Sequence, residues 1–212
     1  MLFSIGKFAG EYQPILENYP LFFKRIAETS HNSCLMLISS EKIRNFTKLN
    51  KENSPIRSLI LGNLGIAAKK ILQEHNLSDE ETWETLINTY QGNPLWLEFT
   101  AIMIYEIFAG KVAEFLEYED LILCESLQMQ LKQIFERLTP PEQAIMIQLA
   151  HENNPIALPQ LNQNIKLVTS DLLNAIQSLG IRLLLDTKEE ENKTYFNLNP
   201  IIKQYLKARY SG

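Results

Sequence analysis

The sequence predicts a mainly α-helical protein with a minor β component. Apolar residues recur at helical spacing through most of the chain after Gly65. Apolar runs short enough for strands occur at residues 34–38 and 56–61, and again at 182–186 and 194–198. A hydrophobic fraction of 45% against 21% charged residues is enough for a core and argues against wholesale disorder. At 212 residues, the chain suits two compact units, or one domain and a remnant of another.

Residues 1–33 read as irregular helix. Tyr12, Ile15, Leu16, Tyr19, Phe22, Phe23 and Ile26 recur near helical spacing, interrupted by Pro14 and Pro20. Residues 34–38 (Cys-Leu-Met-Leu-Ile) form an unbroken apolar run ending in Ser39 and Ser40. Its length predicts a buried, parallel-type strand. Residues 56–61, after Pro55 and before Gly62, predict a second strand, and 48–54 a polar linker between them.

Residues 66–75 predict a helix. Ser78 with Glu81 three residues later fits a capping box, opening a helix with Trp83, Leu86, Ile87 and Tyr90 on one face. Gly92 predicts its C-terminal stop, and Pro94 starts a very apolar helix to about Phe108. Residues 112–116 make a short element, followed by the acidic residues Glu117, Glu119 and Asp120. Leu127, Leu131, Ile134, Phe135 and Leu138 outline an amphipathic helix. Thr139, Pro140, Pro141 and Glu142 mark the next helix start, with Glu142 on the helix dipole. Helices at 158–165 and 169–179 follow, the second closed by Gly180. Strands at 182–186 and 194–198 then flank a charged turn, 188–193, and a last helix runs from Pro200 to Tyr210. Three helices, a β-hairpin and a closing helix make a winged-helix arrangement.

The chemistry-bearing residues are sparse. A phosphate-binding P-loop needs a glycine-rich turn ending in Gly-Lys-Ser/Thr. Gly6-Lys7 is followed by Phe8 and Gly110-Lys111 by Val112, so neither qualifies. The three histidines (His31, His75, His151) show no metal-binding spacing, and Cys34 and Cys124 read as structural thiols. Two cysteines without metal spacing fit a reducing, cytoplasmic setting. No apolar run is long enough to cross a bilayer, since the longest candidate, 101–109, contains Glu106. A net charge of −5 argues against a dedicated nucleic-acid binder. So does the reader-type helix at 169–180, whose one charge is Asp171, and the acidic wing tip around Glu189, Glu190 and Glu191.

Several segments, in order, carry a resemblance. They are 31–42 (with the run ending Ser-Ser-Glu-Lys), 56–61, the Gly-Asn-Pro-Leu turn at 92–95, 107–116 and 133–138. Together they resemble the C-terminal half of NB-ARC-type signal-transduction ATPases of the STAND class, especially cyanobacterial members with WD repeats. The resemblance spans essentially the whole chain. It implies a remnant of a nucleotide-binding α/β domain at 1–62, a small helical subdomain at 63–123 and a winged-helix domain at 124–212. It also implies nucleotide contacts at Pro94, Gly92, Ser39 and Ser40. In the family an Arg at the position of Ser40 senses the γ-phosphate, and a Met-His-Asp motif stands where this chain has Leu198-Asn199-Pro200. Both departures weaken the nucleotide site, and Pro94 reads first as a helix starter after the Gly92 cap and only second as an adenine contact.

These readings predict a chain that is not an enzyme. It has no catalytic residue, no metal and no required cofactor, though weak ADP or ATP binding stays open. The expected role is a regulatory or protein-interaction module. The alternatives are a winged-helix DNA-binding regulator and a nucleotide sensor without hydrolysis. Two strands from the middle of a sheet would leave unpaired edges and apolar faces, so the N-terminal region is expected to bind a protein partner or to self-associate.

Overall fold

A computed structural model describes residues 3–43, 56–118 and 121–210. The predicted linker at 48–54 and the residues Glu119 and Asp120 lie outside the described residues. Among those described, the protein is mainly helical with one three-stranded antiparallel sheet, as the sequence predicts. The chain divides into two compact units, one formed by Met1–Leu59 with Ile134–Gly212 and the other by Ile60–Gln133. No helix among the described residues is long and apolar enough to cross a membrane.

The Ile60–Gln133 unit is a small helical bundle. After α1 (Tyr19–Glu28), which belongs to the other unit, a 3-10 turn at Gly65–Ala68 leads into α2 (Lys69–Glu74), the first helix of this unit. Then come α3 (Trp83–Thr89), α4 (Pro94–Phe108) and α5 (Val112–Leu116). Leu72, Leu86, Leu97, Ala101, Ile104 and Val112 are fully buried among them. Helix α4 is apolar on most sides, and it buries Trp96, Leu97, Thr100, Ala101 and Ile104.

The predicted capping box at Ser78 does not form. Ser78 instead bridges to Lys111, with its backbone N–H and its hydroxyl both donating to the Gly110 carbonyl (2.8 and 3.2 Å). Asp79 takes a left-handed conformation, and its carboxylate accepts the Ala113 N–H at the start of α5 (3.0 Å). Asp79 thus satisfies a first-turn backbone N–H more than thirty positions along the chain.

The other unit begins with a bridge between Phe3 and Tyr12, a 3-10 turn at Pro14–Leu16 and α1 (Tyr19–Glu28). Its larger part contains α7 (Pro140–His151), β1 (Ile156–Ala157), α8 (Leu158–Asn164), α9 (Thr169–Ile181), β2 (Asp186–Glu190), β3 (Lys193–Asn197) and α10 (Pro200–Tyr210). Helix α6 (Glu125–Glu136) precedes them and crosses the boundary between the units. Helix α7 packs against both α9 and α10. Ile145, Met146, Leu149, Leu161, Leu172, Ala175, Leu179, Leu198 and Ile201 fill this core.

β3 lies between β1 and β2, with Ile156 opposite Phe196 and Thr187 opposite the same residue on the other side. The hairpin's strands keep the expected length of five residues but lie closer to the turn than its sequence suggests. β2 starts at Asp186, whereas 182–185 fall outside it, and the charged stretch forms strand as well as turn. The two-residue turn is Glu191 and Asn192, both at positive φ (49° and 61°), the geometry that matches strand twist.

The two N-terminal strands predicted from the sequence are not strands. Among the described residues, 34–38 and 56–61 belong to no strand or β-bridge. They are not buried either: Met36, Ile38, Leu59 and Leu61 are 80%, 91%, 83% and 82% exposed. Strand formation needs a ladder partner, and a high apolar content cannot replace it.

Candidate functional site

Two turns carry the residues assigned by resemblance, and they fall in separate units. In the Ile60–Gln133 unit, α3 ends in a paired-hydrogen-bond cap. Gln91 adopts the left-handed conformation and donates to the Asn88 carbonyl (3.0 Å), while Gly92 donates to that of Ile87 (2.7 Å). The left-handed stop thus falls at Gln91, one residue before the expected Gly92, which also has positive φ (61°). A Cβ there would stand 3.1 Å from the Gly65 backbone nitrogen, and the Gly92 carbonyl accepts the Leu64 N–H (3.0 Å). Asn93 then caps α4, its side-chain oxygen accepting from Leu95 and Trp96 N–H at 3.1 and 3.2 Å, with Pro94 as first helical residue. The local geometry therefore accounts for Gly92 and Pro94 as a helix stop and a helix start.

Ser39 and Ser40 follow the exposed run 34–38. The Ser39 hydroxyl accepts the Glu41 N–H (3.1 Å), and Ser40 is exposed. Among the described residues no group of three His, Cys, Asp or Glu side chains is placed to hold a metal. His75 pairs with Glu98 at 2.8 Å. Cys34 and Cys124 are free thiols.

In the Ile60–Gln133 unit Tyr90 is fully buried and donates its hydroxyl to the Ile122 carbonyl at 2.6 Å. Burial pushes its pKa up to about 12. A shallow cavity of about 270 Å³ lies there, lined among others by Thr89, Tyr90, Phe115 and Ile122.

The densest polar chemistry sits elsewhere, at a cluster the sequence did not reveal. Thr139 and Glu142 form a capping box at the start of α7: Thr139 N–H and hydroxyl both donate to Glu142 Oε2 (2.8 and 2.9 Å). The other carboxylate oxygen, Oε1, accepts the Ser178 hydroxyl (2.6 Å) and Arg182 Nε (3.1 Å). Glu142 is completely buried, with both oxygens doubly bonded.

Arg182 extends the cluster toward the N-terminus. Its Nη1 donates to Glu41 Oε1 (2.5 Å) and its Nη2 to the Lys7 carbonyl (2.7 Å). Arg137 donates to the same Glu41 oxygen (3.2 Å), and Glu41 Oε2 accepts Gly10 N–H (3.3 Å). Two carboxylates thus face two guanidinium groups, so the formal charge balances. Glu41 and Arg182 side chains are 2% and 5% exposed.

Helix α9 is shaped to deliver this arginine. The sequence predicts a stop at Gly180, but the helix runs on to Ile181 with Arg182 as its cap. Leu183 instead takes the left-handed conformation (φ 58°), donating to the Gly180 carbonyl, while Leu184 donates to that of Leu179. A left-handed leucine costs roughly 1–2 kcal/mol. The one legible signal was a charge, Arg182, inside the apolar run 181–185; its acidic partners lie 40 and 141 positions away.

No family model matches the chain. It is 32% identical over 214 residues to an uncharacterized WD repeat-containing protein of Nostoc sp. (strain PCC 7120). That similarity covers 97% of this chain but 16% of the relative, so the chain spans about a sixth of its length. The expected link to cyanobacterial WD-repeat proteins is met in this relative.

Proposed function

We propose that the chain is a non-catalytic regulatory and protein-interaction module of the kind found in the C-terminal half of NB-ARC signalling ATPases. The observation that carries this reading is the pair of apolar runs at 34–38 and 59–61, turned to solvent with no ladder partner among the described residues. Exposed apolar segments of strand-forming composition are sites for pairing with another polypeptide. Likeness to part of a much longer WD-repeat protein supports a role within a larger assembly. The order helix, strand, helix, helix, hairpin, helix from α7 to α10 supports a winged-helix domain. Its arginine at the end of α9 is engaged by two carboxylates, which leaves it unavailable to phosphate and favours a packing role over DNA binding.

These 212 residues contain no P-loop, so the phosphate-binding amides and lysine that phosphoryl transfer depends on are not supplied here. Hydrolysis of ATP by this chain is therefore not expected. Sedimentation velocity over a range of concentrations tests the interaction reading. The chain is expected to associate reversibly, and Ile38→Asp with Leu61→Asp to suppress it. A wild-type chain that sediments as a monomer at every concentration contradicts the proposal. Calorimetric titration with ADP and ATP, with and without Mg²⁺, separates it from the sensor reading: clear binding weakened by Pro94→Ala would favour a nucleotide sensor.

A further inference from the structure

The buried charges at Glu41 and Arg182 join two stretches of one unit that share little apolar contact. Within 3–43, the buried residues are Phe3, Ala9, Phe23 and Glu41. Helix α1 buries Phe23 alone, leaving Leu21 and Phe22 about half exposed. What fastens this stretch to α7 and α9 is a set of polar bonds. Gly6 N–H donates to the Arg137 carbonyl (3.0 Å), Ala9 N–H to the Ser178 hydroxyl (2.6 Å) and Lys42 N–H to the Ile181 carbonyl (2.9 Å). Arg182 and Arg137 hold Glu41, and Arg182 also holds the Lys7 carbonyl.

We infer that Glu41 is the removable half of a clasp that docks residues 3–43 onto α7 and α9, and that this docking opens without unfolding of the helices beneath it. The chemistry is asymmetric. Arg182 has two carboxylate partners, and losing Glu41 leaves it still bound to Glu142, within the capping box of α7. Arg137, the other partner of Glu41, is 22% exposed and meets water when released. The helices therefore keep a neutralised, hydrogen-bonded core when Glu41 departs. The docked stretch keeps Phe3, Ala9 and Phe23, too little buried apolar surface to hold it closed.

The clasp also bears on presentation of the apolar run. Ile38 lies three residues before Glu41, a span of about 10 Å if extended. Opening the clasp frees both ends of the stretch that carries the run. The run then reorients without any change in the helical core. This device stands independently of which partner the run meets.

Amide hydrogen exchange on the full chain tests it. In Glu41→Ala the amides of Gly6, Ala9, Gly10 and Lys42 should exchange about 10-fold faster or more, while those inside α7, α9 and α10 stay within about 2-fold of wild type. Glu41→Gln, which keeps shape and one hydrogen-bonding oxygen, should give a smaller acceleration of the same four amides. If the helix amides accelerate by the same factor as the four docking amides, the clasp is part of the cooperative core and the inference fails. Unchanged exchange at the four amides overturns it equally.

Discussion

In residues 3–43, Phe3, Ala9, Phe23 and Glu41 are the buried residues, whereas α7 alone buries Glu142, Ile145, Met146, Leu149 and Ala150. Both stretches belong to one compact unit. The α7 region is held by close apolar packing against α9 and α10, and its polar group at Glu142 is fully satisfied inside that packing. The N-terminal stretch is held mainly by backbone hydrogen bonds and one ion cluster, and it keeps its apolar run in water. Apolar packing is cooperative and hard to open locally; a polar dock with little apolar area opens in part. The difference separates a closely packed helical core from a segment docked on it by polar bonds.

The sharpest way to break this contrast is to remove the group that serves both regions. Arg182→Met leaves Glu41 and Glu142 buried with one guanidinium between them. It should lower stability by about 4 kcal/mol in chemical denaturation, far more than Glu41→Ala. Equal effects of the two substitutions would erase the asymmetry. Leu149→Ala, in the fully packed α7 face, should cost about 3 kcal/mol and speed exchange throughout α7, α9 and α10. Thr139→Ala removes the cap that orients Glu142 and should cost about 1–2 kcal/mol by the same measurement. At the small end, Ile38→Ser should leave unfolding within about 0.5 kcal/mol of wild type, because Ile38 is exposed.

The Ile60–Gln133 unit has its own alkaline signature. Tyr90 in the folded state ionises near pH 12, above the ordinary tyrosine value of about 10. A raised folded pKa means that its stabilising contribution is complete below pH 10 and is lost as pH climbs from about 10 toward 12. Far-ultraviolet circular dichroism across that window, compared with Tyr90→Phe, should show the wild-type chain losing helix earlier.

The sequence was legible where one local rule acted alone. Helical periodicity located α3 and α6, Pro94 marked the start of the apolar helix α4, and Thr139 with its two prolines marked the start of α7. It was illegible where a distant partner decided the outcome. Ser78 has the spacing of a cap, but Lys111 and Gly110 claim its backbone and hydroxyl. Gly180 is the residue that should stop α9, but the helix passes it and Leu183 accepts the left-handed turn, next to an arginine bound by Glu41 and Glu142. Residues 34–38 have strand composition but no partner strand among the described residues, and composition cannot supply a ladder. Of the turns that resemblance pointed to, the sequence placed the helix boundary at Gly92 and Pro94 within a residue. The ion cluster escaped because its members lie far apart in the chain.

Under the proposed function, residues 34–38 gain a strand partner when the chain associates. Amide exchange at Leu35, Met36, Leu37 and Ile38, followed as protein concentration rises, tests it most directly. Protection should appear at these four amides in step with the growth of the associated species seen by sedimentation. Amides that stay unprotected at every concentration, whether or not the chain associates, would contradict the account.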